Sequence, residues 1–196
     1  MKYHAIAVRP LIAAAVAAIA GLAISSAAHA ATGSPAAPAA TAIPQCAAAL
    51  GQHGNVSAWV AVDQGNGAAG TTYYPREFTN TSGRACSLDG YPGVSAISRG
   101  GQQLGSPAAW GSLNGAHRVV LAPAATAHTM LAYHDVGAYP PRVCDPVSTT
   151  VELRIYLPGL RLATAAAFDF EACSRPGVAY MSISEPIRAG VGTING

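Results

Sequence analysis

The sequence predicts an all-β protein built as an antiparallel sandwich and stapled by two disulfides. Three observations predict it: strict alternation in the clearest apolar run, turn residues at short intervals, and four cysteines behind an export leader. In Val151-Glu152-Leu153-Arg154-Ile155-Tyr156-Leu157, the residues Val151, Leu153, Ile155 and Leu157 fall on one face. Glu152, Arg154 and Tyr156 fall on the other, and such a period of two marks a half-buried strand.

At the start of the chain, Met1 to Arg9 carries Lys2, His4 and Arg9. Leu11 to Ile24 is an unbroken apolar run, and Ala28-His29-Ala30 closes it with small residues. That order is a secretory signal, residues 1–30, and its apolar run is too short to span a bilayer. Ala31, not cysteine, follows the expected cut, so the exported chain is not expected to be a lipoprotein. Residues 31–45 are dominated by Ala and Pro and read as a tether. The sandwich domain is expected over 46–196.

Shorter apolar runs follow at Trp59 to Val62, Thr71 to Thr79, Val94 to Ile97, Arg118 to Leu121, Thr126 to Tyr133, Thr164 to Phe170 and Val178 to Ile183. Turn signals separate them: Gly65-Asn66-Gly67, Asp89-Gly90, Arg99-Gly100-Gly101, Asn114-Gly115 and Pro158-Gly159. Short strands at this spacing make a two-layer antiparallel sandwich. Trp59 is expected in its core.

Cys46, Cys86, Cys144 and Cys173 all lie beyond the leader, an even set in an oxidising compartment. Cys144 and Cys173 are equally far from Pro158-Gly159, so hairpin arms over 149–157 and 162–170 would bring them together. The midpoint of Cys46 and Cys86 falls on Asn66, inside a turn signal. Four cysteines allow three pairings, of which Cys46–Cys86 with Cys144–Cys173 is preferred. Each closure stabilises by roughly 3–4 kcal/mol on the chain-entropy model. A zinc site is the rival reading; there is no C-x-x-C pair, and the wide spacings lack the usual ligand rhythm.

The most distinctive stretch is Phe78-Thr79-Asn80-Thr81-Ser82-Gly83-Arg84-Ala85-Cys86-Ser87-Leu88-Asp89-Gly90-Tyr91-Pro92-Gly93-Val94. It reads as a strand end, a tight turn, a cysteine-anchored strand and a Gly-Tyr-Pro-Gly corner. Further along come Leu121-Ala122-Pro123 before Thr126 to Leu131, then Cys144 to Leu157, then Ala172-Cys173 with Ile187-Arg188-Ala189-Gly190. Together these pieces resemble the signature of a family of secreted and lipid-anchored actinobacterial proteins, domain of unknown function 4232. The resemblance spans about residues 46–190 and implies an immunoglobulin-like sandwich outside the cell. It brings no catalytic or binding residues with it. This chain departs from the lipid-anchored members by lacking their lipidated cysteine.

Charge narrows the function classes. Lys2 and Arg9 are two of the 11 Lys and Arg, so nine arginines face nine acids once the leader is gone. A neutral, lysine-free domain is a poor partner for nucleic acid, whose binding rests on clustered cations. No later apolar run reaches membrane-spanning length. A hydrolase needs nucleophile, base and orienting acid together. Gly93-Val94-Ser95-Ala96-Ile97 breaks the G-x-S-x-G pattern at its last position. Gly100, Gly101 and Gly105 have no lysine to make them a phosphate cradle.

Two constellations remain. His128, Met130, Ala132 and His134 share one face of a strand; His128 and Met130 stand about 7 Å apart, near enough for copper, while His128 and His134 stand about 20 Å apart. The plain alternative is an ordinary strand surface. Trp110, Tyr139 and Tyr156 are candidate binding aromatics, able to stack on sugars or anchor a protein. Their plain alternative is that Trp110 plugs one end of the sandwich and Tyr156 covers the sheet. The sequons at Asn55 and Asn80 are expected to be idle. The leading expectation is a secreted, non-catalytic binding or interaction module of the cell envelope or medium. It needs no cofactor, and its partner is an envelope glycan or protein. The alternatives are copper handling by His128 and Met130, and a secreted hydrolase.

Overall fold

The computed structural model of this chain describes residues 42–47, 54–61, 66–111, 115–147 and 151–193. The leader and most of the expected tether lie outside the described residues. Its strands, in chain order, begin with β1 (Val56–Val60), β2 (Asn66–Ala68), β3 (Thr71–Asn80), β4 (Cys86–Asp89), β5 (Gly93–Ser98), β6 (Gln103–Leu104) and β7 (Ala109–Trp110). They continue with β8 (Arg118–Leu121), β9 (Thr126–His134), β10 (Pro146–Val147), β11 (Val151–Tyr156), β12 (Ala163–Ala167), β13 (Ala172–Cys173), β14 (Met181–Ile183) and β15 (Arg188–Ala189). The all-β expectation holds. Among the described residues a 3-10 turn, Val136–Ala138, is capped by the Asp135 side chain, which accepts from Gly137 N.

The spine is the antiparallel pairing of β3 with β9, from Thr71↔His134 to Thr79↔Thr126. Around it the larger sheet runs β1-β3-β9-β14-β7, with β2 also on β3 and β15 also on β9. The smaller sheet runs β12-β11-β5-β6. Period-two alternation decides what each strand buries. On β9, Ala127, Thr129 and Leu131 are buried while His128 and Met130 are half-buried on the other face. Phe78, Leu131 and Ile183 of the larger sheet join Val94, Ala96, Leu153 and Ile155 of the smaller in one apolar cluster. Each of these Val, Leu, Ile and Phe side chains, fully buried, contributes about 1.5–3 kcal/mol of transfer free energy, and the Ala96 methyl less. The arrangement is sandwich-like.

Pro75 lies inside β3, where a proline is normally excluded. Its carbonyl accepts from Ala61 N at 3.1 Å, just beyond Val60↔Arg76, the last registered pair of β1. N–H and C=O of one strand residue point the same way, so the missing donor faces the end of β1 and interrupts no registered pair.

Both disulfides are formed: Cys46–Cys86 with Cα atoms 4.8 Å apart and Cys144–Cys173 with 4.7 Å. The second follows from the expected hairpin, since β11 and β12 pair from Glu152↔Ala167 to Tyr156↔Ala163 and β10 with β13 form a separate short pair, Pro146↔Cys173, in the same register. The first pairing is as preferred, but the turn is not. Asn66 and Gly67 are strand residues of β2, and the chain reverses at Ala69-Gly70, with φ of 52° and 78°. The last tether residues are docked as well. Cys46 N and Ser87 N exchange bonds with Ser87 O and Pro44 O at 2.9 Å each, and Arg118 donates to Ile43 O at 2.6 Å.

Trp59 is not core. β1 begins at Val56, so Val56 and Val60 turn inward and Trp59, 43% exposed, turns outward. The run from Thr164 leaves its ladder at Ala167. Phe168 and Phe170 instead join Tyr74, Tyr133 and Tyr180 in a set of edge-to-face and tilted rings.

Asn80 holds the distinctive turn together. Its amide nitrogen donates to Arg84 O, Leu121 O and Ala122 O at 2.8, 3.0 and 3.2 Å. Its oxygen accepts from Ser82 N and Ser82 Oγ at 3.0 and 2.8 Å. A fully buried amide so engaged cannot carry a glycan in the folded protein.

Gly105 has φ +67°, and a Cβ there would overlap Tyr180 Cε1 and stand 2.8 Å from Val178 O. Gly101 has φ +81° with nothing within 4 Å. Gly101→Ala should therefore cost about 1 kcal/mol of backbone strain, and Gly105→Ala roughly 2–4 kcal/mol because overpacking adds to it. Denaturant unfolding of both variants checks this; equal losses would contradict the packing argument.

Candidate functional site

Trp110 combines exposure with rigidity. It ends β7, which pairs in parallel with β14 at Ile183↔Trp110, on the rim of the larger sheet. Its indole N–H donates to Pro92 O at 3.0 Å, and its ring stacks on Tyr91 with centroids 6.0 Å apart at 28°. Tyr91 is buried, yet Trp110 remains 55% exposed. Gly111 then lies against Ser184 O and Ile183 O at 3.1 and 3.2 Å, measured from where a Cβ would stand, so only glycine lets the chain pass here undisturbed. The indole is thus pinned on one face by Tyr91 and open to solvent elsewhere. An aromatic surface already fixed loses little conformational entropy when it binds.

Tyr156 is half-buried and covers Gly93, whose Cβ position lies 3.5 Å from Tyr156 Cβ. The consecutive residues Pro92 and Gly93 therefore carry one contact to Trp110 and one to Tyr156. Tyr139 is placed differently. It follows the 3-10 turn, packs against the core, and donates its hydroxyl to Ala179 O at 3.0 Å.

His128 and Met130 do share the outward face of β9, in the row and the next row of a charged cluster that the sequence reading missed. Across the sheet, Trp59, Glu77, His128 and Arg188 are register partners in sequence, and Glu185 joins them. His128 Nδ1 donates to Gly190 O at 2.8 Å, and Nε2 lies 3.7 Å from Glu185 Oε1. Glu185 Oε2 accepts from Arg188 Nε at 3.1 Å. Both ring nitrogens of His128 are thus engaged by the protein. Among the described residues, no group of three or more His, Cys, Asp and Glu is placed to hold a metal ion. Nothing in local periodicity announces this cluster, because β15 reaches it from far along the chain.

Two consecutive residues of β3 carry buried charge on opposite faces. Arg76 points inward, fully buried between Val60 and Thr129, and burial pulls its guanidinium down to about 9, still cationic at neutral pH. Glu77 points outward beneath Gly192, whose N–H donates to Glu77 Oε1 at 2.8 Å. Burial pushes the Glu77 carboxyl up, against the smaller opposing pulls of that hydrogen bond and of His128. Glu77 Oε2 is buried without a hydrogen-bond partner.

An all-β, disulfide-stapled domain of this kind defines a class. A family model described as Domain of unknown function (DUF4232) matches residues 52–184, more than half of the 196-residue chain. The chain belongs to that family. No curated protein and no solved structure gives a significant match. Among the described residues, no helix is long and apolar enough to cross a membrane.

A raised carboxyl favours its protonated form in the fold. Its stabilising contribution is complete below the unfolded-state value and is lost as pH rises through the higher folded value. The unfolding free energy of the wild type should therefore carry a component that falls as pH rises above about 4, the ordinary Glu range. Glu77→Gln should remove that component and still accept from Gly192. Unfolding curves of both proteins across mildly acidic to neutral pH are the measurement; identical slopes would show that Glu77 is not strained by its cover.

Proposed function

We propose that this protein is an exported, non-catalytic, immunoglobulin-like module that binds a component of the cell envelope or medium through the aromatic face around Trp110. The single observation that carries the proposal is an indole 55% exposed yet held by a hydrogen bond to Pro92 O and a stack on Tyr91. Such rings serve as anchors at contact surfaces because they bring large area with little freedom left to lose. The face suits the ring of an envelope glycan or an apolar side chain of an envelope protein. The expected leader and the paired cysteines support reading this chemistry as extracytoplasmic. No catalytic residue is part of the reading.

Trp110→Ala should weaken sedimentation with insoluble cell-wall polysaccharide, or cross-linking to surface protein on intact cells, by tenfold or more. It should cost only about 1–2 kcal/mol of stability, the worth of one hydrogen bond and one ring pair. Tyr139→Ala is the control, on a ring packed against the core whose hydroxyl is bonded to Ala179 O. Binding undiminished in the Trp110 variant would end this reading.

A further inference from the structure

Arg76 is the group that the proposed surface does not use. It lies on the inner face of β3, with Val60 and Thr129 beside it across the sheet. Its exposure is zero, and its Nε, Nη1 and Nη2 all lack a hydrogen-bond partner. The polar neighbours do not answer it. Thr129 Oγ1 donates to Glu185 O, and Glu77 projects from the opposite face toward Gly192. The ion pairs among the described residues are those of Glu185 with His128 and with Arg188, both on the outward face. The flanking inward residues, Tyr74 and Phe78, belong to or pack against the apolar cluster.

A guanidinium in apolar surroundings is tolerated only when its charge is neutralised and its donors are satisfied. It offers five N–H groups in a rigid planar fork, a shape that captures one small anion with several donors at once. Water would satisfy donors and leave the charge; a carboxylate or halide does both. The apolar walls favour an ion that sheds its hydration readily.

We propose that Arg76 holds a small, weakly hydrated monovalent anion of chloride size inside the sandwich, as a structural ligand of the fold. Binding to the native state alone makes stability depend on anion concentration. The purified protein is unfolded thermally in mixtures of sodium gluconate with sodium chloride, bromide or formate at constant ionic strength. Chloride and bromide should raise Tm by roughly 3–6 °C for each tenfold rise above the dissociation constant. A larger response to formate would assign the site to a carboxylate instead of a halide. Arg76→Met should unfold at a temperature indifferent to the anion. Crystals soaked in bromide should show an anomalous peak within hydrogen-bond reach of the guanidinium, which decides the matter if Arg76→Met does not fold. A wild-type Tm that ignores the anion, or a response preserved in Arg76→Met, overturns the proposal.

Discussion

The pairing of β3 with β9 is the constraint on which the rest depends. Among the described residues it is the longest ladder, and every strand of the larger sheet is attached to one of these two or to a neighbour of β9. Its register assigns parity to everything else: Phe78 and Leu131 inward, Glu77 and His128 outward. A slip of one residue would exchange the faces and put His128 and Met130 into the core. It would also expose Phe78. The ladder is therefore specified by hydrophobic burial on one side and by the charged row on the other.

At the ends of this spine, covalent and polar staples take over from burial. Cys46–Cys86 fixes the incoming chain to β4, and the Asn80 amide ties the turn after β3 to the carbonyls that close β8. The family's distinctive stretch thus reads as structure. Asn80 needs Ser82 and Arg84 at their spacing to satisfy one buried side chain, and Tyr91-Pro92 supplies the seat of Trp110. Within that stretch the Pro92 carbonyl and the Tyr91 ring hold the exposed indole.

The two buried charges of β3 share one cause and differ in remedy. Alternation sends neighbours to opposite faces, so Arg76 and Glu77 cannot neutralise each other by contact despite being adjacent in sequence. Glu77 is covered by a chain segment arriving from beyond β15, which supplies one N–H. Among the described residues Arg76 receives no such segment, and the inward side chains flanking it on β3, Tyr74 and Phe78, are aromatic. Buried, incompletely satisfied polar groups of this kind mark places where a fold serves something besides its own stability.

Much of the architecture is local information. Alternation over Thr126 to Tyr133 and Val151 to Leu157, with turn residues between strands, determined strand identity, because side-chain direction in a strand needs only the sequence period. The hairpin about Pro158-Gly159 was legible for the same reason, and with it Cys144–Cys173. The candidate rings Trp110 and Tyr156 were legible only as exposed aromatics; that Pro92-Gly93 contacts both required the corner to be folded. Trp59 was misplaced because its side of the sheet depends on where β1 starts. Asn66 was misplaced because a neighbouring alanine accepted positive φ in the turn. The row Glu77, His128, Glu185 and Arg188, the cover at Gly192 and the solitary guanidinium of Arg76 were decided by tertiary structure alone. Each depends on which distant strand lies alongside, and that choice follows from the packing of two whole sheets, not from any period within one.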